Sequence, residues 1–393
     1  MDSRAGTNRS SVGELRKLIA MREQRKLSGF NRFILWLNYL VIVALLISIL
    51  AKYISPILFW FPAFFGLAFP FLFIFNCLFI VYWLAQFKRA VIYGAILFVL
   101  SLPTALRYVQ FSVNAKKSER KVLKVTSYNS MLFDLYNWSK NKESRSKILS
   151  GLSEINPDIL CLQEFYTSEE KGDYNNIDTI KRILKTNYFH CEYTITLRDL
   201  DHWGVATFSK YPIINQGKIL FNTRSNNICI FSDIVIKNDT IRVYNVHLQS
   251  VSFSKRDNKF LEDVISEKDA ANEMENSKSI LRRLKLAFVK RTQQVEMIVA
   301  HLQTCPYKII MCGDFNETAA SYSYQKLARN LEDAFIEKGM GFGRTYAGKW
   351  PKFRIDYILH DKTLHCSDYR RNEETYTDHY PITAYFDNIN WSK

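Results

Sequence analysis

Residues 309–316 read Ile-Ile-Met-Cys-Gly-Asp-Phe-Asn. The apolar run at its start predicts a short strand buried on both faces. Gly313 ends the run, and Asp314 and Asn316 follow it. Two positions apart on an extended chain, their side chains face the same way. Polar groups at the mouth of a buried strand can line a cleft, where ligands bind. Taken singly, each reads more simply as a turn former or helix cap.

The pattern recurs along the chain. Asn129 follows Val125-Thr126-Ser127-Tyr128, and Glu164 ends Asp158-Ile159-Leu160-Cys161-Leu162-Gln163. His247 follows Val243-Tyr244-Asn245-Val246, and Asp378-His379 precede Tyr380-Pro381-Ile382. Asp356 lies inside Arg354-Ile355-Asp356-Tyr357-Ile358-Leu359. A carboxylate among apolar neighbours is costly unless paired, and His379 is its expected partner. Carboxylates and amides favour a hard cation such as Mg2+, with Mn2+ the alternative. The seven cysteines show no CxxC and no zinc-ligand spacing. Cys161 and Cys312 read as small buried hydrophobes. Pairing among Cys191, Cys229, Cys305 and Cys366 is left open.

Strands are expected at Val122–Ser127, Ile159–Leu162, Gly204–Phe208, Ile228–Ile236, Ile241–Val246, Ile309–Cys312, Ile355–Leu359 and Ile382–Phe386. Helices are expected at Ser144–Ile155 and Ser277–Leu302, with a long polar loop or insertion over Ser250–Asn276. Strands mixed with helices over this length predict an α/β or α+β domain with two buried sheets.

The whole chain has 393 residues, 48% of them hydrophobic, which excludes a disordered chain. Its net charge of +15 and pI near 9.3 suggest nucleic acid at first sight. The charge is not evenly placed. Residues 1–32 hold eight basic and three acidic side chains. Phe33–Ala51, Tyr53–Phe87 and Ala90–Leu106 are then free of charged residues, interrupted by Lys52 and by Lys88-Arg89. Uncharged apolar runs of this length predict membrane spans, three in the simplest count. The middle run is longer than one helix needs. It tilts, begins with an interfacial turn near Pro62, or forms a hairpin. A basic N-terminus stays cytoplasmic, so three spans place the rest of the chain outside. The basic cluster from Lys116 to Lys124 runs against that orientation, although long domains translocate despite flanking charge. From Val125 onward the balance is close to neutral, so the basic pI marks the membrane region and its flank. The spans carry almost no ionisable residues, which argues against a transporter or channel.

Six motifs occur in one order: Tyr128-Asn129, Leu162-Gln163-Glu164, Asn245-Val246-His247-Leu248, Gly313-Asp314-Phe315-Asn316, Arg354-Ile355-Asp356-Tyr357 and Thr377-Asp378-His379-Tyr380-Pro381. In this the chain resembles the endonuclease/exonuclease/phosphatase superfamily with the DNase I-like fold, as a membrane-anchored bacterial-type member. The resemblance runs from Val122 to Phe386, with Gly204–Pro212 fitting the middle strand. It implies a four-layer sandwich of two packed mixed β-sheets flanked by helices. The expected organisation is a basic segment 1–32, a transmembrane region 33–107, a basic linker 108–121 and a catalytic domain 122–393.

The resemblance also implies a chemistry, in-line hydrolysis of a phosphoester by activated water. Glu164, Asn129 and Asp378 would hold Mg2+ against a phosphate oxygen. Asp314 would orient and deprotonate the water, with Asn316 holding it or a phosphate oxygen. His247 and His379 would donate to phosphate oxygens, and Asp356 would pair with His379. The choice of base between aspartate and histidine stays open. Gly339–Lys352 is expected to shape the cleft, with Arg344 or Lys349 meeting a substrate phosphate, or to be an ordinary loop. The expected substrate is a lipid head group or phosphorylated small molecule. A nuclease is the alternative, using Lys278, Arg282, Arg283, Lys285, Lys290 and Arg291 on phosphates; otherwise these form a solvated helix face, with Arg291 bracing the sheet. A non-catalytic membrane scaffold is the third reading. The expected location is a bacterial inner membrane, with the catalytic domain on the periplasmic side.

Overall fold

Apolar residues alternate along the strands, so each strand buries one side chain set inward and the next outward. The computed structural model describes residues 27–86, 88–111, 122–170, 172, 174–221, 226–251, 273–348, 351–373, 376–387 and 389. Two six-stranded sheets stand face to face. The first has the order β10 (Leu331–Asp333), β12 (Asp356–Asp361), β9 (Lys308–Asp314), β8 (Asp239–His247), β7 (Ile228–Ile236), β6 (Ile213–Ile219). The second has the order β13 (Cys366–Arg371), β14 (Ile382–Phe386), β2 (Leu123–Asn129), β3 (Ile159–Ser168), β5 (Asp201–Ser209), β4 (Tyr188–Leu197). Within these sheets the pairs are antiparallel except β8 with β9 and β2 with β3, so both sheets are mixed.

Parity decides the layers. Ile310 and Cys312 of β9, with Ile241 and Val243 of β8, meet Leu123, Val125, Ile159 and Cys161 of the facing sheet. The intervening Met311, Tyr244 and Val246 pack outward against Val295 and Ile298 of α7 (Glu273–Leu302). Leu160, Leu162, Ala206 and Phe208 pack outward against α5 (Ser144–Ile155) and α6 (Asn176–Leu184). The expected four-layer sandwich is therefore present. Its inward parity carries on past the apolar runs to Asn129, His247, Asp314 and Asp356, which puts them at one end of the space between the sheets.

The strands expected from the sequence occupy the interior of both sheets, most with longer ends than foreseen. Edge strands β4, β6, β10 and β13 were not foreseen. β4, β6 and β13 are only partly buried along much of their length and β10 is three residues long, so no apolar run marks them. The expected loop 250–276 lies mostly outside the described residues. All seven cysteines are free thiols.

The N-terminal apolar region forms α1 (Gly29–Ala51), α2 (Phe61–Leu67), α3 (Phe69–Ala85) and α4 (Val91–Ala105). Of the described helices, α1 alone is long and apolar enough to cross a membrane by itself. α2 and α3 pass the same test only as one unit bent by 67°. α4 is apolar with 15 residues. Prolines at the first turns of α2 and α3 suit helix starts and set the break between them. What was expected as a linker begins as structure: Val109–Phe111 is β1, paired with β11 (Met340–Phe342). Residues 112–121 lie outside the description.

The helices are packed onto the sandwich. Lys285 of α7 lies over the Trp60 ring at 4.6 Å, and Phe288 meets Phe64 edge-on at 5.3 Å. Ala320 is buried with Leu45, Phe69 and Leu97. Arg107 donates to Gln325 (2.8 Å), and Arg354 donates to the Arg107 carbonyl (3.0 Å).

Candidate active site

Register brings the polar strand ends together. His247 of β8 lies opposite Asp314 of β9, and Asp314 lies opposite Asp356 of β12, so three neighbouring strands present them in a row. Gly313 permits this close approach. A Cβ there would stand 2.0 Å from the Val246 carbonyl oxygen, which excludes any side chain without shifting the strands. In the facing sheet Asn129 of β2 lies opposite Gln163 of β3. A bulge between Leu162 and Phe165 then re-aims the chain, and Glu164 sits in it with φ of 45°.

Asn129 joins the two sheets. Its Nδ2 donates to Glu164 Oε1 (3.3 Å) and to Asp314 Oδ2 (3.1 Å), while its Oδ1 accepts the Met131 N–H (3.1 Å). In this orientation Asn129 is a donor that holds two carboxylates. Acting as a metal ligand would require the amide reversed. Asp314 Oδ1 accepts the Asn316 N–H (2.8 Å), and Asn316 Nδ2 donates to the Leu248 carbonyl (3.0 Å).

His379 Nδ1 faces both oxygens of Asp356, at 2.9 and 3.1 Å. A carboxylate only accepts there, so Nδ1 carries the proton. Nε2 then points into the cleft, 3.8 Å from Asp314 Oδ2 and 4.0 Å from Asp378 Oδ1. Asp356 is anchored in turn, its N–H donating to Thr345 Oγ1 (3.0 Å). Thr377 Oγ1 accepts the His379 N–H (3.0 Å), and the Tyr346 ring meets the imidazole edge-on at 5.4 Å.

Charge crowding sets the protonation states. Burial, then the negative charge of Asp356, pushes Asp314 up to about 6 against the pull of His379 and His247. Burial and Asp378 raise Glu164. Burial disfavours a charged His379, but Asp356, Asp314 and Asp378 outweigh it and hold the imidazole well above its ordinary value. Burial lowers His247, whose Nε2 has no hydrogen-bond partner among the described residues and lies 3.7 Å from Glu164 Oε1. Glu164 and Asp378 are both partly exposed, and after burial it is the negative charge of Asp378 that raises Glu164 most. Two carboxylates repelling one another in this way fit a hard divalent cation.

The sequence-predicted residues Asn129, Glu164, His247, Asp314, Asn316, Asp356, Asp378 and His379 are thus brought together. Arg344 Nη2 donates to Oη of Tyr380, the residue next to His379 (2.7 Å). Lys349 lies outside the described residues. Gln163 and Asn245 were quoted in motifs without a role. Gln163 Nε2 donates to Asn245 Oδ1 (2.7 Å), and Asn245 Nδ2 donates to the Ala206 and Leu162 carbonyls (2.9 and 3.2 Å). Both are wholly buried, and they bridge the sheets directly beneath the cleft. Their signal was a lone amide inside an apolar strand, which must find partners in the interior.

A groove of about 350 Å³ opens beside Glu164 and His247, walled by Leu132, Tyr136, Ile195, Leu197 and Trp203 among others. No Lys or Arg is among its described lining residues. A larger basic cleft, about 880 Å³, lies by α6 with Arg145, Lys181, Arg182 and Lys185, and none of the candidate catalytic residues lines it.

The family model described as "Endonuclease/Exonuclease/phosphatase family" matches residues 128–379. A second, "Domain of unknown function (DUF8431)", matches residues 31–108. No curated protein matches the chain by sequence. Solved structures similar to this one include an endonuclease/exonuclease/phosphatase family protein from Leptotrichia buccalis (16% identity, TM-score 0.44, 67% of this chain and 99% of that one). Others are a mannosyl-6-phosphatase of Bacteroides thetaiotaomicron (14%, 0.48, 67% and 99%) and sphingomyelinase C from Streptomyces griseocarneus (19%, 0.45, 67% and 99%).

Proposed function

The chain belongs to the endonuclease/exonuclease/phosphatase family of metal-dependent phosphoester hydrolases, and from this we propose that it is a membrane-anchored, Mg2+-dependent phosphodiesterase or phosphatase acting on a lipid head group. The partly apolar groove beside Glu164 and His247 carries the choice of substrate, because a wall with Leu132, Ile195, Leu197 and Trp203 and no described Lys or Arg suits a hydrocarbon neighbour of the phosphate better than a polyanion. The anchor supports it. Ala320, six residues beyond Asp314, is buried against α1, α3 and α4, which ties the segment after β9 to the apolar helices. Two of the cations proposed for nucleic acid have other work: buried Arg291 pairs with Glu317 (2.7 Å), and Lys285 sits over Trp60. With α1, the bent pair and α4 as three crossings and the N-terminus inside, the catalytic part lies on the outer face, the periplasmic one in a bacterium with two membranes.

Glu164 and Asp378 are the residues that would hold the cation, with Asn129 fixing Glu164 in place. When bound, the ion offsets negative charge that builds on the phosphate. Asp314, buried and held near a pKa of 6 by burial and Asp356, takes the proton of the attacking water near neutral pH. His379, kept cationic by Asp356, donates its Nε2–H to a phosphate oxygen as the charge grows there. Asn316 and His247 hold the substrate oxygens on the β8 side.

A substrate panel tests this reading. The detergent-solubilised full chain with Mg2+ is offered phosphocholine- and phosphoinositide-type lipids in mixed micelles, sugar phosphates, DNA and RNA. Turnover of at least one lipid class is expected to exceed that of nucleic acid by at least about 10-fold. Turnover confined to nucleic acid would contradict it and support the nuclease instead.

A further inference from the structure

β12 has a second end. His360 lies on the same inward face as Asp356, four residues and about 13 Å further along the strand. It is wholly buried, as is Cys366 at the start of β13. Glu337, on the short helix α8 (Ala334–Lys338), reaches the same point. One ligand atom from each of Glu337, His360 and Cys366 lies within 4.8 Å of the others. No member of this group takes part in the hydrolytic site.

The orientation of His360 is informative. Its Nδ1 stands 3.0 Å from the backbone carbonyl of Asp361, which only accepts, so Nδ1 carries a proton. Nε2 is left facing Glu337 Oε2 at 3.1 Å, an ion-pair distance. An imidazole tied through Nδ1–H to a backbone carbonyl, with Nε2 turned to a carboxylate and a thiol, is how a metal-ligating histidine is held. Glu332 lies opposite His360 across the β10–β12 pair, which places another carboxylate beside the group. The Glu337–His360 ion pair accounts for two of the three groups, and a Cys366 ligand atom stands within 4.8 Å of both.

We propose that Glu337, His360 and Cys366 form a structural site for Zn2+, with Glu332 or a water completing four ligands. Mixed nitrogen, sulfur and oxygen donors suit Zn2+ rather than the Mg2+ of the cleft. Tetrahedral zinc with bonds of about 2.0–2.3 Å sets ligand atoms about 3.3–3.7 Å apart, so small side-chain movements close the group. On binding, the Cys366 thiol, which now donates to the Asp368 carbonyl (3.3 Å), and the Nε2–H that His360 holds toward Glu337 both give their protons to solvent, freeing the sulfur and the nitrogen for the metal. The ion ties α8 and β12 to the edge strand β13 of the other sheet. The ligands come from three elements 23 and 6 residues apart in sequence, which is why no local zinc spacing shows.

The full chain, stripped by chelator, is titrated with Co2+ and then with Zn2+. One equivalent of Co2+ is expected to give a thiolate-to-cobalt charge-transfer band that one equivalent of Zn2+ removes. Cys366→Ser abolishes the band, Glu337→Gln weakens binding at least about 10-fold, and Asp314→Asn leaves both unchanged. No band in the wild type, or a band that survives Cys366→Ser, overturns the site. If Cys366→Ser fails to fold, Glu337→Gln decides: unchanged Co2+ affinity overturns it.

Discussion

Asp314→Asn is expected to lower kcat by about 10²–10⁴-fold, the range for losing a positioned general base. The substitution keeps the shape and most hydrogen bonds. Asn316 N–H still finds an oxygen, and only the Asn129 contact must adjust. It also removes one negative charge from a buried cluster in which Asp356 already raises the Asp314 pKa. Thermal stability should therefore stay level or rise while turnover falls. Those opposite signs separate a chemical role from a structural one, since a merely structural Asp314 would lose both together. Near-native turnover in Asp314→Asn would remove it as the base.

His379→Ala should cost about 10²–10³-fold in kcat, as expected for a donor aimed at developing charge. Asp356→Asn leaves the imidazole in place and takes away the charge that raises its pKa. The sign follows from the cation. In the wild type the His379 imidazolium is complete at low pH and is lost as pH rises through its raised pKa. Without Asp356 that pKa falls, so the alkaline limb of the kcat profile moves to lower pH. The double variant should be little worse than His379→Ala alone, because Asp356 acts through His379. An alkaline limb unmoved in Asp356→Asn would show that His379 does not donate as the cation.

The legible part of the fold was its interior. Runs such as Ile309–Cys312 and Ile228–Ile236 are buried on both faces and announce themselves. β6 reads Ile-Ile-Asn-Gln-Gly-Lys-Ile and β13 reads Cys-Ser-Asp-Tyr-Arg-Arg, because an edge strand shows water one face and one side. The cleft residues were legible because strand ends expose them, and Asp356 because a carboxylate among apolar neighbours needs a partner. Their arrangement was not. That His247, Asp314 and Asp356 share one row depends on a parallel pairing and an antiparallel one, which are long-range facts. The Gln163–Asn245 bridge depends on the facing of two sheets, and the orientation of the Asn129 amide on three partners from different elements. The engagement of Arg344 with Tyr380 likewise joins segments 36 residues apart.

Metal-dependent phosphoester hydrolysis in this one cleft is the central claim, and chelation tests it most directly. The full chain is assayed on an activated model phosphodiester before EDTA, after EDTA, and after return of Mg2+, beside Asp314→Asn treated alike. Turnover should fall to background with EDTA and return with Mg2+ in the wild type alone. Turnover that persists through chelation, or that Mg2+ restores equally in Asp314→Asn, would contradict the account.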